Sequence, residues 1–142
     1  MRKMLYAVLV SLFIGGLSID PATASDHDKN PADESGSGVN LESLLKAELE
    51  GFEGAEVIVS RVTFPPHSSL PKHWHPGEEF AYILEGSVIL WQDGEDDLVG
   101  QAGDVIKIPL KKVHTARTGD ESATVLVFRV HEQGKPERAL VE

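Results

Sequence analysis

The chain has 142 residues, 41% hydrophobic and 25% charged, enough to bury one core and too short for two ordinary domains. It contains no cysteine, which excludes disulfides, Cys-ligated zinc, iron–sulfur clusters and thiol nucleophiles. Acidic residues outnumber basic ones 23 to 13 for a net charge of −10, so nucleic acid, which is gripped through its phosphates, is not an expected partner.

Arg2 and Lys3 form a basic start, and the uncharged apolar run Met4 to Ile19 follows it. Ala22-Thr23-Ala24 supplies the small-x-small pattern of a signal-peptidase site, so residues 1–24 read as a signal peptide cut after Ala24. The alternative is an uncleaved anchor, but the run is short of the ~18 apolar residues that a spanning helix needs. The expected location is periplasmic or secreted, with no membrane association after cleavage. Residues 25–40 hold Asp26, Asp28, Asp33, Glu34 and a Ser-Gly-Ser-Gly run with almost no apolar side chain, and read as a flexible acidic leader. If the mature chain starts Ser25-Asp26-His27, its free amine, amides and imidazole can wrap a square-planar Cu(II) or Ni(II).

The folded domain is expected over residues 41–142. Leu41, Leu44, Leu45 and Leu49 lie at helical spacing, although the stretch is short and ends at Gly51. From Ala55 onward the texture is β-branched and aromatic, broken by turn signals at Glu85-Gly86, Asp93-Gly94, Ala102-Gly103 and Gly119-Asp120. Strands are predicted at Glu56 to Phe64, Glu79 to Leu84, Ser87 to Gln92, Leu98 to Val99, Val105 to Ile108, Val113 to Thr118 and Ala123 to Val130. The pattern is all-β, a sandwich or barrel of short strands.

His73 and His75 stand at i and i+2, which on an extended strand puts both imidazoles on one face. A Pro76-Gly77 turn can fold Glu79 back beside them, and His114 follows Pro109 just inside a later strand. Three imidazoles and a carboxylate suit one divalent ion of intermediate softness, Fe, Mn, Ni, Cu or Zn, and leave two positions open on an octahedral ion.

The spacing of these residues resembles the cupin superfamily, whose first motif is G-x5-H-x-H-x3,4-E-x6-G and whose second is G-x5-P-x-G-x2-H-x3-N. His73, His75, Glu79 and Gly86 match the first, and Gly103, Pro109 and His114 match the second. The resemblance spans roughly residues 45 to 132 and is similar to the small single-domain exported cupins of bacteria. It implies a double-stranded β-helix, a jelly-roll-like barrel, with His73, His75, Glu79 and His114 as metal ligands. It also implies a strand near Leu44 to Gly51 in place of a helix, and a homodimer joined through edge strands. Three positions depart from the motifs: His67 and Lys111 replace glycines and Thr118 replaces asparagine, so altered turns are expected at the first two.

The barrel hosts many chemistries, so function must come from the pocket wall. Tyr82, Trp91 and Phe128 are the aromatic candidates for that wall, against the plainer reading of strand aromatics as core. Lys111 and Lys112, just before His114, would steer a small anion toward the metal, or form a solvated turn. His67 reads as a loop residue, Glu78 as solvent-facing, and His131 has no assigned role. The leading expectation is a metal-dependent small-molecule enzyme, dioxygenase-like, with Glu79 doubling as a general base. The alternatives are an exported non-catalytic binder of metal or a small metabolite, and a metal that mainly staples the fold.

Overall fold

The computed structural model describes residues 38–141. The expected signal peptide, most of the acidic leader and the Ser25-Asp26-His27 start lie outside them. Ten strands run in chain order: β1 Asn40–Glu48, β2 Ala55–Phe64, β3 His73–Trp74, β4 Gly77–Glu85, β5 Ser87–Gln92, β6 Leu98–Gln101, β7 Val105–Ile108, β8 His114–Arg117, β9 Ala123–Glu132 and β10 Ala139–Leu140. They build two five-stranded antiparallel sheets, ordered β1-β2-β9-β4-β7 and β10-β3-β8-β5-β6. There is no helix among the described residues. The all-β jelly-roll expectation is met, and each strand predicted from Glu56 onward appears within two residues of its expected bounds.

Alternation explains the barrel. On β9 Val125, Val127, Arg129 and His131 are buried while Phe128 is exposed, and on β5 Val88, Leu90 and Gln92 are buried while Ile89 and Trp91 are less so. The inward rows meet as one core with Val62, Phe64, Ile83, Ile106 and Ile108. Chain reversals between sheets use residues that accept positive φ. At Gly86 φ is +72°, and a Cβ there would lie 2.0 Å from the Ser122 carbonyl oxygen, so only glycine fits.

Val39 is buried in the core and Asn40 opens β1, next to the 40/41 boundary set from composition. The leucines lie on the strand that the resemblance implies near Leu44 to Gly51: β1 is an edge strand that pairs with β2 and carries a bulge between Ser43 and Leu45, which leaves Leu44 and Leu45 both exposed. One expectation is corrected here. The turns at His67 and Lys111 are not altered. Both residues keep left-handed backbones, φ 54° and 59°, at the two positions where the motif has glycine.

Thr118 explains its own replacement of asparagine. Its buried Oγ1 accepts the Ser68 backbone N–H at 3.1 Å and donates to the Pro65 carbonyl at 2.6 Å, tying the 65–68 loop to the end of β8.

Candidate metal centre

The site lies where β3, β4, β8 and β9 come together. His73 and His114 stand directly opposite each other on β3 and β8. His75 follows on the β3–β4 connection, and Glu79 is on β4 opposite Arg129 of β9. The three imidazoles cluster with ring centroids 4.4 to 5.3 Å apart, and each offers a nitrogen within 4.8 Å of the others. All three are buried.

Backbone carbonyls fix the tautomers. His73 Nδ1 donates to the Pro71 carbonyl at 2.8 Å, His114 Nδ1 to the Lys112 carbonyl at 2.8 Å, and His75 Nδ1 to the Glu137 carbonyl. With the proton on Nδ1, each Nε2 presents a lone pair, as in metal-binding histidines whose other nitrogen is held by an outer partner. The Nε2 atoms of His75 and His114 are buried and make no hydrogen bond. His75 Nε2 also lies 3.0 Å from Glu79 Oε2, close enough for the two atoms to share one cation. The donor set therefore fits a borderline divalent ion.

Electrostatics favour the same state. Burial, helped by His114, pushes the His73 imidazole down to about 3, so it is neutral at ordinary pH. Burial lowers His114 as well. At Glu79 burial pushes up, but the contact and charge of His75 and the Arg129 guanidinium outweigh it and hold the carboxyl at about 2. The site thus offers His73 as a neutral imidazole, His114 shifted the same way, and an ionised carboxylate, ligand forms that need no deprotonation.

The four residues line one end of a pocket that opens to solvent. Its wall is mainly apolar, with Arg129, Glu137 and Arg138 beside the histidines. The loop after β9 closes one side: Glu137 gives its carbonyl to His75, and β10 pairs Ala139 with Trp74 and Leu140 with His73.

The pocket-wall expectations are corrected. Tyr82, Trp91 and Phe128 do not line the cavity. Each sits on the outward register of its strand, Tyr82 between Ala81 and Ile83 and Phe128 between Val127 and Arg129; Tyr82 is 41% and Phe128 40% exposed. Trp91 carries Lys72 Nζ 3.9 Å above its ring. Lys111 is exposed and Lys112 pairs with Glu95 at 2.8 Å, and neither lines the cavity. His67 stays in its loop, 3.4 Å from Asp120, and Glu78 faces out to Lys107 at 2.7 Å. His131 is buried against Glu56. The sequence reading missed Arg129, Glu137 and Arg138. Extending the inward alternation of β9 past Val125 and Val127 reaches Arg129, which is the signal that was available.

Residues 60–129 match the family described as Cupin domain. No curated protein matches the chain. Among solved structures it is similar to a DMSP lyase of Ruegeria pomeroyi, at 24% identity and TM-score 0.61 over 72% of this chain and 51% of that one. A cupin-like protein of Thermotoga maritima matches at 20% identity and TM-score 0.60, over 72% and 75% of the two chains. A recombinant oxalate oxidase in complex with glycolate matches at 21% identity and TM-score 0.57, over 75% and 57%. The chain spans about half the length of the lyase, and at these identities the likeness is one of fold. Two antiparallel sheets in jelly-roll order, the matched segment and these neighbours agree: this chain carries a cupin domain.

Proposed function

We propose that this protein is an exported, metal-dependent enzyme acting on a small organic molecule, a dioxygenase-like oxidoreductase. In this reading His73, His75, His114 and Glu79 hold one divalent transition ion. The observation that carries it is the shared tautomer: three buried imidazoles give Nδ1–H to backbone carbonyls and leave three Nε2 atoms facing one spot. A bound ion would supply Lewis acidity and open positions where substrate and co-reactant meet.

The chain's own residues do the rest. The apolar wall of Val62, Phe64, Leu90, Ile106 and Ile108 excludes water and strengthens every charge interaction at the histidine end. Glu79 is ionised and only accepts, and with Arg129 Nε 3.6 Å from its Oε2 it is placed at the histidine end to receive a substrate proton. Tyr82 and His67 do not line the cavity.

Export is supported by the Arg2-Lys3 start, the Met4 to Ile19 run and the Ala22-Thr23-Ala24 site. A homodimer is supported by β1, an edge strand with exposed Leu44 and Leu45. The test of activity is O2 uptake by protein loaded in turn with Fe, Mn, Ni, Cu or Zn, offered small diketones and flavonols. Consumption that disappears in Glu79→Gln supports an oxygenase. Stoichiometric metal without turnover moves the protein to the non-catalytic binder.

A further inference from the structure

The charges around the cavity name the class of its ligand, an inference that rests on the metal-centre reading above. Arg129 is the cation of the inward face, 3% exposed, in a row otherwise begun by Val125 and Val127. A guanidinium has five N–H donors, and buried ones are commonly met by short, paired bonds to a carboxylate near 2.8 Å. Arg129 has nothing of that kind. Its Nη1 reaches Glu137 Oε2 at 3.5 Å and its Nη2 reaches Ser60 Oγ at 3.3 Å. Its Nε makes no hydrogen bond and stands 3.6 Å from Glu79 Oε2. A buried cation with long contacts and an unmet donor is held ready for a better partner.

Glu137 occupies the place that partner would take. Its backbone is fixed by the bond from His75, but its side chain is 30% exposed at the mouth and contacts Arg129 only loosely. It can turn out to solvent at small cost. The charged side chains lining the cavity, Glu79, Glu137, Arg129 and Arg138, cancel in pairs, so a divalent ion leaves two positive charges in excess. That excess calls for an anion, and a planar guanidinium fork matches a carboxylate. The remaining wall, with Val62, Phe64, Leu70, Val88 and Leu90, offers nothing to the hydroxyls of a sugar.

We propose that the cavity takes a small carboxylate with a short apolar body, and that its carboxylate docks on Arg129 by displacing the Glu137 side chain. Glu137 is then a placeholder, and Arg129 a specificity-determining residue.

The test is calorimetric titration of metal-free and Zn(II)-loaded protein with butyrate and with butyramide, the same shape without the charge, in the wild type and in Glu137→Gln, Arg129→Gln and Arg129→Lys. Butyrate is expected to bind at least about tenfold tighter than butyramide, the scale of losing charge-assisted hydrogen bonds. E137Q is expected to tighten butyrate several-fold with unchanged metal content. R129Q loses the preference for butyrate and R129K recovers part of it. Should R129Q fail to fold, E137Q still decides, because a purely structural Glu137 would weaken binding or leave it unchanged. Equal affinity for butyrate and butyramide, or weaker or unchanged butyrate binding by E137Q, overturns the proposal. Protein that takes up Zn(II) but shows no preference for butyrate overturns this inference and leaves the metal centre standing. Protein that takes up no metal yet binds butyrate through Arg129 does the reverse.

Discussion

His73 and His114 are cross-strand partners, directly opposite in the register of β3 and β8, with ring centroids 4.4 Å apart. Two neutral imidazoles so placed gain little from each other, since their Nε2 lone pairs face a common point. An ion at that point joins two strands, and β3 is only two residues long. Metal should therefore act on stability as well as function. Saturating metal, about a hundredfold above its Kd, adds ~2.7 kcal/mol, which for a domain of this size raises Tm by about 10 °C. Thermal melts with and without a chelator check this, and His114→Ala should show no metal-dependent shift.

Acid should destabilise the metal-free protein in two overlapping steps. His73 falls from an ordinary 6.5 to about 3 on folding, so the unfolded chain takes up this proton first; the associated stability is full above about 6.5 and is lost as pH falls toward 3. Glu79 falls from 4.5 to about 2, and its contribution is present above 4.5 and lost toward 2. Both slopes have the same sign. Tm of metal-free protein should drop steadily from pH 6.5 to 4, and His73→Ala should be flatter between 6.5 and 4.5, where Glu79 is not yet titrating. A flat wild-type profile would contradict the assignment of buried neutral imidazoles.

The left-handed backbones at His67 and Lys111 are held in place by tertiary bonds. His67 N donates to the Gly119 carbonyl at 2.8 Å, and Lys111 N to the His75 carbonyl at 3.2 Å. A side chain at positive φ is strained, by about 1 kcal/mol for an ordinary residue. His67→Gly and Lys111→Gly should each raise stability by a few tenths to about 1 kcal/mol, less what glycine loses in unfolded-state entropy. Denaturant titration at constant m reads the change. Destabilisation by more than about 1 kcal/mol would mean that the side chains themselves matter.

The C-terminal strap reaches the histidine cluster through one carbonyl. Glu137 accepts from His75, and β10 is anchored by Ala139 and Leu140 on β3 with Val141 N bonded to the Lys72 carbonyl at 3.0 Å. Ending the chain at Gly134 removes the partner that orients His75. Loss of such outer partners commonly costs 10- to 100-fold in metal affinity, and competition with a colorimetric chelator should find a fall on that scale. Unchanged affinity would mean that His75 needs no such support.

Much of this was legible in the sequence for local reasons. β5 and β7 announce themselves by alternation between turn residues, and His73, His75, Glu79 and His114 by spacing. What was not legible depended on register. Tyr82, Trp91 and Phe128 were chosen for size, but a strand sends alternate side chains to opposite faces, and these three fall on the outer one. Arg129 was hidden in the same way, its inward direction fixed by pairing with Glu79 across β4 and β9. β3 and β10, at two residues each, are too short to carry any period, so the closure over His75 left no trace. Lys111 looked like a lost turn because its residue type changed, although the tertiary bond to His75 preserved the turn.

The most direct test of the metal centre is elemental analysis of the protein purified from its native host, beside His73→Ala and His114→Ala. The account predicts one transition-metal ion per chain in the wild type and little in either variant, with all three proteins folded by far-ultraviolet circular dichroism. No metal in the wild type, or equal metal in the variants, would contradict it.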